Sequence, residues 1–208
     1  MKHLSIFVQA VLAGIAISIG GTVFLACDSR VVGAVFFSVG LFAVCTLGLN
    51  LFTGKICYVF DNKPAYAANC LLIWAGNLAG AWLAGTAIRA TRLDVIEKAQ
   101  TIAQTKLSDN LLSIFILAIF CNMLIYLAVE SYNRNPHELG KYMGLFLGVC
   151  VFVLAGFEHC VANMFYFTVA GVWSGKTLLY VIVMTLGNAV GGVIFPLCRK
   201  LKNRAEAA

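Results

Sequence analysis

Long apolar runs that carry almost no charge are the feature that most constrains this fold. Of the 208 residues, 61% are hydrophobic and 12% are charged, whereas a soluble domain has about 25% charged residues. So few charges cannot cover the surface of a water-soluble domain, and the runs therefore predict membrane-spanning segments. The runs are continuous rather than alternating, which favours helices over a transmembrane β-barrel.

Six segments are long enough to cross a bilayer, for which a helix needs about 20 apolar residues. The predicted spans cover residues 4–27, 31–60, 66–89, 111–130, 141–170 and 176–196. Polar residues interrupt the second span near 50–55 and the fifth near 156–163. A polar, partly amphipathic connection, 90–110, joins the third span to the fourth. We therefore expect an all-α membrane protein with one transmembrane domain, 1–208.

The two halves of the chain carry similar motifs. Each has an interrupted span followed by a span with Gly-Asn-x-x-Gly, at 76–80 and at 187–191. Because each half, about 1–90 and about 111–200, has three spans, the halves must lie in opposite orientations across the membrane. This pattern predicts an inverted repeat with a permeation site near the midplane, between two discontinuous helices. Chance recurrence of Gly-Asn among 19 glycines is the alternative.

Lysine and arginine in the short loops set the predicted orientation. With both termini in the cytoplasm, eight basic residues lie on the cytoplasmic side and six on the outer side. We therefore expect a multi-pass protein of the cell inner (plasma) membrane whose termini both face the cytoplasm. The eight are Lys2, Lys63, Arg134, Lys141, Arg199, Lys200, Lys202 and Arg204, and the six are Arg30, Arg89, Arg92, Lys98, Lys106 and Lys176.

The dipeptide Glu158-His159 interrupts the fifth span between two apolar runs, 145–154 and 164–173. Ionisable groups inside a bilayer are costly and usually functional. Histidine titrates near neutral pH, and its neutral imidazole both donates and accepts a hydrogen bond, which suits proton exchange with a passing weak acid. A structural histidine bonded to a helix carbonyl is the alternative. We expect Glu158 to face away from the pore and to bond backbone or a partner subunit.

Other polar residues lie near the second span and before the fourth. Thr53 can direct its hydroxyl toward His159 across the pseudo-twofold axis, although a simple kink eased by Gly54 would leave the same pattern. Lys55 is expected near an interface, with its ammonium reaching water. Lys106 is the basic residue of the connection 90–110 that lies close enough to the membrane to attract anions.

Four asparagines fall inside or beside apolar runs: Asn77, Asn122, Asn163 and Asn188. Asparagine amides can bridge helices or orient a histidine. For Asn77 and Asn163, bridging between helices is at least as good an interpretation as a place in the pore.

Several classes of function have no support in the sequence. Eight cysteines form no CxxC pair, which indicates neither a disulfide framework nor a metal site. There is no Walker loop, HExxH or GxSxG motif, so we expect no enzyme and no cofactor. No basic face is interleaved with exposed aromatic residues, which argues against nucleic acid.

Three motifs resemble those of the formate/nitrite transporter family. They are Asn50-Leu-Phe-Thr-Gly-Lys55, Gly156-Phe-Glu-His-Cys-Val-Ala-Asn-Met-Phe165 and Leu186-Gly-Asn-Ala-Val-Gly-Gly192. The resemblance covers nearly the whole chain. It implies an aquaporin-like protomer of six helices, built as an inverted repeat, and a homopentamer with one pore per protomer.

The resemblance also implies roles for individual residues. His159 would be the central pore histidine and Thr53 its partner, with Asn122 and Asn188 nearby. Lys106 would add positive charge near the pore. The apolar constrictions on either side of the histidine would be formed by Phe37, Leu41, Leu51 and Phe152.

The function predicted from residues and resemblance together is channel-like transport of a small monovalent weak-acid anion: formate, nitrite or hydrosulfide. We hypothesise that the anion takes up a proton at the slit, directly or through His159, because a bare charge is costly in an apolar slit. The expected partners are the anion, protons, membrane lipid and further copies of the chain. Electrogenic conduction past a charged His159, an aquaporin-like neutral-solute channel and a non-transporting regulatory protein are the alternatives.

Overall fold

The computed structural model describes residues 1–206, and within that range the chain is helical with no β-strand. Five helices are long and apolar enough to cross a membrane. They are α1 (Lys2–Ala26), α4 (Ala65–Arg89), α6 (Leu111–Arg134), α7 (Glu138–Ala155) and α9 (Gly175–Glu206). The shorter ones are α2 (Arg30–Thr46), α3 (Phe52–Lys55), a 3-10 helix (Ile56–Asp61), α5 (Ile96–Ser108) and α8 (Cys160–Ala170). The all-α prediction is thus confirmed for the described residues.

The predicted second and fifth segments are each divided by a non-helical stretch. Residues 47–51 separate α2 from α3, and residues 156–159 separate α7 from α8. The polar connection contains α5. This helix is amphipathic, and its two buried residues are Ala99 and Ala103. The last helix runs beyond the apolar segment 176–196 to Glu206. The lysine and arginine residues after Pro196 have helix propensities similar to that of leucine, so the helix continues.

Helices α2 and α7 end in the same way, on a glycine in the left-handed region. Gly48 has a φ of 65° and Gly156 a φ of 76°. Leu49 N donates to Val44 O at 2.9 Å after α2, and Phe157 N donates to Phe152 O at 3.0 Å after α7. This pattern is a Schellman end, which needs a residue without a Cβ at the left-handed position.

Helices α3 and α8 both begin at a buried amide that an asparagine side chain satisfies. Asn77 Oδ1 on α4 accepts from Phe52 N at 2.8 Å. Asn188 Oδ1 on α9 accepts from Cys160 N at 2.9 Å. A backbone N–H left without a partner in an apolar interior is costly, so these two side chains allow the chain to restart a helix inside the protein.

Close helix contacts hold the two asparagines in place. Helix α1 packs mainly against α4 and α2, and α6 packs mainly against α9 and α7. Gly80 lies directly against Val11 O, and Gly191 lies directly against Ile119 O, so a Cβ at either glycine would overlap that carbonyl. Helix α8 sits at the centre, with all of its residues from Cys160 to Ala170 buried.

Candidate functional site

His159 lies at the start of α8, at the end of the non-helical stretch 156–159, and is 2% exposed. Its Nε2 lies 3.0 Å from the hydroxyl of Thr53, which the short helix α3 presents from the opposite half of the chain. Thr53 is fully buried. The structure therefore brings together the two residues that the sequence paired.

The hydrogen bonds of His159 fix which ring nitrogen carries its proton. Ala162 N donates to Nδ1 at 3.1 Å, so Nδ1 is an acceptor and the ring serves as the N-cap of α8. A neutral imidazole then has its hydrogen on Nε2, which donates to Thr53 Oγ1. The Thr53 hydroxyl keeps its own hydrogen, which has no protein acceptor among residues 1–206.

Aromatic and aliphatic side chains enclose the histidine. Phe152 stacks on the imidazole with ring centroids 5.7 Å apart and an interplanar angle of 18°. Phe37 meets Phe152 edge-on at 5.9 Å. Leu41 and Leu51 are also buried, each 1% exposed. All four residues predicted as constrictions are thus close to fully buried.

Two cavities reach this apolar layer and share no residue in their walls. The first, called here the histidine cavity, has a volume of about 490 Å³ and includes Phe37, Phe152 and His159 in its wall. The second, called here the basic cavity, has a volume of about 670 Å³ and includes Leu41 and Leu51. The predicted constrictions therefore divide into a phenylalanine pair on one side and a leucine pair on the other.

Lys106 reaches the histidine cavity from α5 and forms an ion pair there. Its Nζ lies 2.6 Å from Glu158 Oε2, and the side chains are 14% and 4% exposed. Asn163 Nδ2 donates to the same carboxylate oxygen at 2.7 Å. The expectation that Glu158 faces away from the site of His159 is wrong, since both residues line the same cavity.

Asn122 and Asn188 lie behind the site and hold its backbone. Asn188 Nδ2 donates to Ala118 O and to Glu158 O, both at 2.8 Å. Asn122 Nδ2 donates to Asn188 O at 2.7 Å and to Thr53 O at 3.1 Å. Neither residue lines the histidine cavity or the basic cavity, so the structure places them as supports for the backbone of Thr53 and Glu158.

The chain matches a family model described as formate/nitrite transporter over residues 1–200. The chain belongs to the formate/nitrite transporter family. The resemblance carried by the three sequence motifs is thereby confirmed. Proteins of this family are membrane transporters and not enzymes.

Individual relatives agree with the family match. A probable formate transporter of Methanothermobacter thermautotrophicus is 34% identical over 81% of this chain and 72% of its own length. The formate channel FocA of Escherichia coli K12 is 30% identical over 79% of this chain and 66% of its own length. Among solved structures, a pentameric formate channel with formate bound has a TM-score of 0.81 at 28% identity and covers 98% of each chain. An FNT family ion channel shares the fold, with a TM-score of 0.83 at 24% identity over 92% of this chain.

Sequence reasoning missed most of the basic cavity. Its wall carries four cationic side chains, Lys55, Arg134, Arg199 and Lys200, against one acidic side chain, Asp61. The sequence predicts Arg134, Arg199 and Lys200 to lie on the cytoplasmic side, but it does not indicate that they share a cavity wall with Lys55. A signal was available, since the basic residues 199–204 directly follow the apolar segment 176–196.

Proposed function

We propose that this protein is a channel-like transporter for a small monovalent weak-acid anion, with formate as the first candidate. The observation that carries the proposal is the buried His159–Thr53 pair, which lies between two cavities within a layer of phenylalanine and leucine. A relative and a solved structure that carry formate in their names support this choice of substrate. Nitrite and hydrosulfide have the same charge and are the next candidates.

We infer a protomer of six spans arranged as an inverted repeat, with α2 and α3 in the second span and α7 and α8 in the fifth. Matched contacts support two repeats at about 1–90 and 111–200 within one domain. The helix ends at 44–49 and 152–157, and the capped amides Phe52 N and Cys160 N, are all 108 positions apart. The likeness to a pentameric channel supports a homopentamer. The inner membrane, with both termini in the cytoplasm, is the proposed location.

The proposed mechanism takes the substrate across the apolar layer as the neutral acid. A bare anion would lose its hydration between the phenylalanine and leucine pairs, at a cost of several kcal/mol, whereas the neutral acid avoids most of that cost. The proton comes from water in the cavity that the anion enters. A proton stored on His159 Nδ1 would break the bond from Ala162 N, so direct uptake is favoured over relay through the ring.

In this mechanism the His159–Thr53 pair orients the substrate. His159 Nε2 donates to Thr53 Oγ1, and the Thr53 hydrogen is then available to an oxygen of the passing neutral acid. This ordered donor replaces part of the lost hydration without a fixed charge. A fixed cation would hold the anion too tightly for passage, because conduction requires both entry and release.

Flux into proteoliposomes tests the proposal. Formate, nitrite, hydrosulfide, acetate and chloride are compared across a range of pH, with His159→Ala as the variant and the exposed His137→Ala as the matched control. We expect uptake of one small weak acid that rises as pH falls, is lost in His159→Ala and is kept in His137→Ala. Current carried by the anion, unaffected by pH, would instead favour electrogenic conduction. No flux of any of these solutes through folded protein would overturn the proposal.

A further inference from the structure

The two cavities differ in how far their charges are compensated. The histidine cavity has three cationic and three acidic side chains in its wall: Arg30, Lys98, Lys106, Asp28, Asp109 and Glu158. Lys106 is paired with Glu158, and the Lys98 ammonium bonds Phe24 O and Cys27 O at the end of α1. Little positive charge remains in this cavity to attract an anion.

The basic cavity has an excess of positive charge. Arg199 and Arg134 share one carboxylate, Glu130, at 2.6 and 3.0 Å, and Lys200 pairs with Asp61 at 2.6 Å. Lys55 forms no ion pair within residues 1–206. A cavity with one sign of charge and apolar walls concentrates counter-ions, and Lys55 is the cation in its wall that remains free to bind one.

Lys55 occupies a particular place relative to the central pair. It lies two positions after Thr53 on α3, and side chains two apart on a helix point in nearly opposite directions. Thr53 therefore meets His159 while Lys55 lines the basic cavity beside Leu51. Lys55 N donates to Leu51 O at 2.9 Å, so the backbone of Lys55 is anchored beside one residue of the leucine pair.

A comparison of the two halves of the chain indicates that the fold does not require a lysine at position 55. The residue 108 positions later is Asn163, which bonds Glu158 Oε2 and His159 O. The residue matched to Glu158 is Asn50, whose amide donates to Gln9 Oε1. The second half therefore has an acid at this point and the first half has none, which leaves Lys55 without a partner for its charge.

We propose that Lys55 and the wall around it form a binding site for a small monovalent anion at the inner end of the basic cavity. The inference rests on the proposed function only for the choice of formate as the ligand. The site holds the anion against the leucine pair before it loses its charge. Because the anion binds at this site, the concentration that gives half-maximal flux is lower for anion entering from the basic cavity than for anion entering from the histidine cavity.

Cys45 provides a readout that does not depend on transport. It lines the same cavity and is partly exposed. The full-length protein is treated with an anionic or a cationic methanethiosulfonate, and modification of the peptide that contains Cys45 is followed by mass spectrometry. The variants are Lys55→Gln and Lys55→Arg, with Lys63→Gln as the control because Lys63 is exposed and lies outside the cavity wall.

We expect Lys55→Gln to lower the ratio of anionic to cationic modification rates by roughly fivefold at low salt, because one nearby unit charge is removed. Lys55→Arg and Lys63→Gln should keep the ratio. Formate, compared with gluconate at equal ionic strength, should slow the anionic reagent saturably in the parent and not in Lys55→Gln. An unchanged ratio in Lys55→Gln, or formate protection that persists without Lys55, would overturn the proposed site.

Flux measured on the same preparations separates this inference from the proposed function. Saturable protection by formate without any formate flux would leave the binding site standing and remove the transport proposal. The formate concentration that gives half-maximal flux can be measured from each face. If these concentrations are the same in the parent and in Lys55→Gln, the transport proposal stands and the proposed site is ruled out.

Discussion

Asn77 and Asn188 each use one side chain to satisfy three backbone groups. Asn77 accepts from Phe52 N and donates to Ala10 O and Asn50 O. Asn188 makes the equivalent bonds to Cys160 N, Ala118 O and Glu158 O. Without them, buried backbone groups at two interruptions would lose their partners. At the scale of single residues, these amides are the structural requirement for placing Thr53 and His159 opposite each other.

Asn77→Ala and Asn188→Ala are therefore expected to destabilise the protein to a similar degree. Each leaves buried polar groups without partners, at about 1–3 kcal/mol per group. Thermal unfolding in detergent should show a lower Tm for both, while Asn133→Ala, on the surface, should leave the Tm unchanged. A Tm for Asn188→Ala equal to that of the parent would contradict the role assigned to this amide.

Thr53→Val removes the hydroxyl that the His159 ring holds and keeps the shape of the side chain. We expect formate flux to fall about tenfold or less, since one hydrogen bond of about 0.5–1.5 kcal/mol is lost. Thr53→Ser keeps the hydroxyl and should retain most of the flux. Stopped-flow uptake into proteoliposomes measures both variants, and flux that is kept in Thr53→Val but lost in Thr53→Ser would show that the methyl group, not the hydroxyl, matters.

The residues of the site could be predicted only in part. The pairing of His159 with Thr53 follows from the sequence motifs and their resemblance to the family, and the two groups lie 3.0 Å apart. The pairing of Glu158 with Lys106 was missed because neighbouring helical residues point about 100° apart. Residues 156–159 are not helical, so the side chains of Glu158 and His159 both reach the same cavity.

At the scale of elements, the positions of the interruptions could be read from glycine and polar residues, but their geometry could not. The predicted interruptions 50–55 and 156–163 overlap the non-helical stretches 47–51 and 156–159. The sequence places the first interruption three residues too late, because apolar Leu47 and Leu49 continue the hydrophobic pattern after α2 has ended, and it extends the second four residues too far into α8. The caps from Asn77 and Asn188 depend on helix packing, which a linear pattern does not contain.

Gly48→Ala and Gly156→Ala test the two matched helix ends. Both glycines have positive φ and neither is crowded, since an added Cβ would meet nothing within 4 Å at Gly48 and only Arg30 at 3.6 Å at Gly156. The expected loss is about 1–2 kcal/mol each from left-handed backbone strain. Unfolding by SDS titration measures it, with Gly175→Ala, which is equally uncrowded and has no positive φ, as the control. Equal stability of Gly156→Ala and Gly175→Ala would contradict this cause.

The end of α9 is held to α6 by Glu130. This carboxylate accepts from Tyr58 Oη at 2.7 Å and pairs with Arg199 at 2.6 Å. Glu130→Gln should loosen the last turns of α9 and raise hydrogen exchange over residues 197–206. Glu206→Gln, which removes only an exposed pair with Lys202, should not. Unchanged exchange in Glu130→Gln would mean that apolar packing alone holds the end of this helix.

At the scale of the whole molecule, matched helix ends recur in the two halves of the chain, whereas the charge of the two cavities differs. The helix ends and the capped amides repeat at a spacing of 108 positions, yet one cavity wall has balanced charges and the other has four cations against one acid. Sequence reasoning assigned the attraction of anions to Lys106. The pairing of Lys106 with Glu158 shifts that role toward the basic cavity.

The Lys106–Glu158 pair therefore gives a prediction about the balance of the whole channel. Lys106→Met leaves Glu158, whose side chain is 4% exposed, as an uncompensated negative charge in the wall of the histidine cavity. Removing one partner of a buried pair is worse than replacing both. Formate flux should fall strongly in Lys106→Met and recover substantially in Lys106→Met/Glu158→Gln. If Lys106 instead attracts anions by its own charge, the double variant will be as slow as Lys106→Met, and uptake across a range of formate concentrations distinguishes the two results.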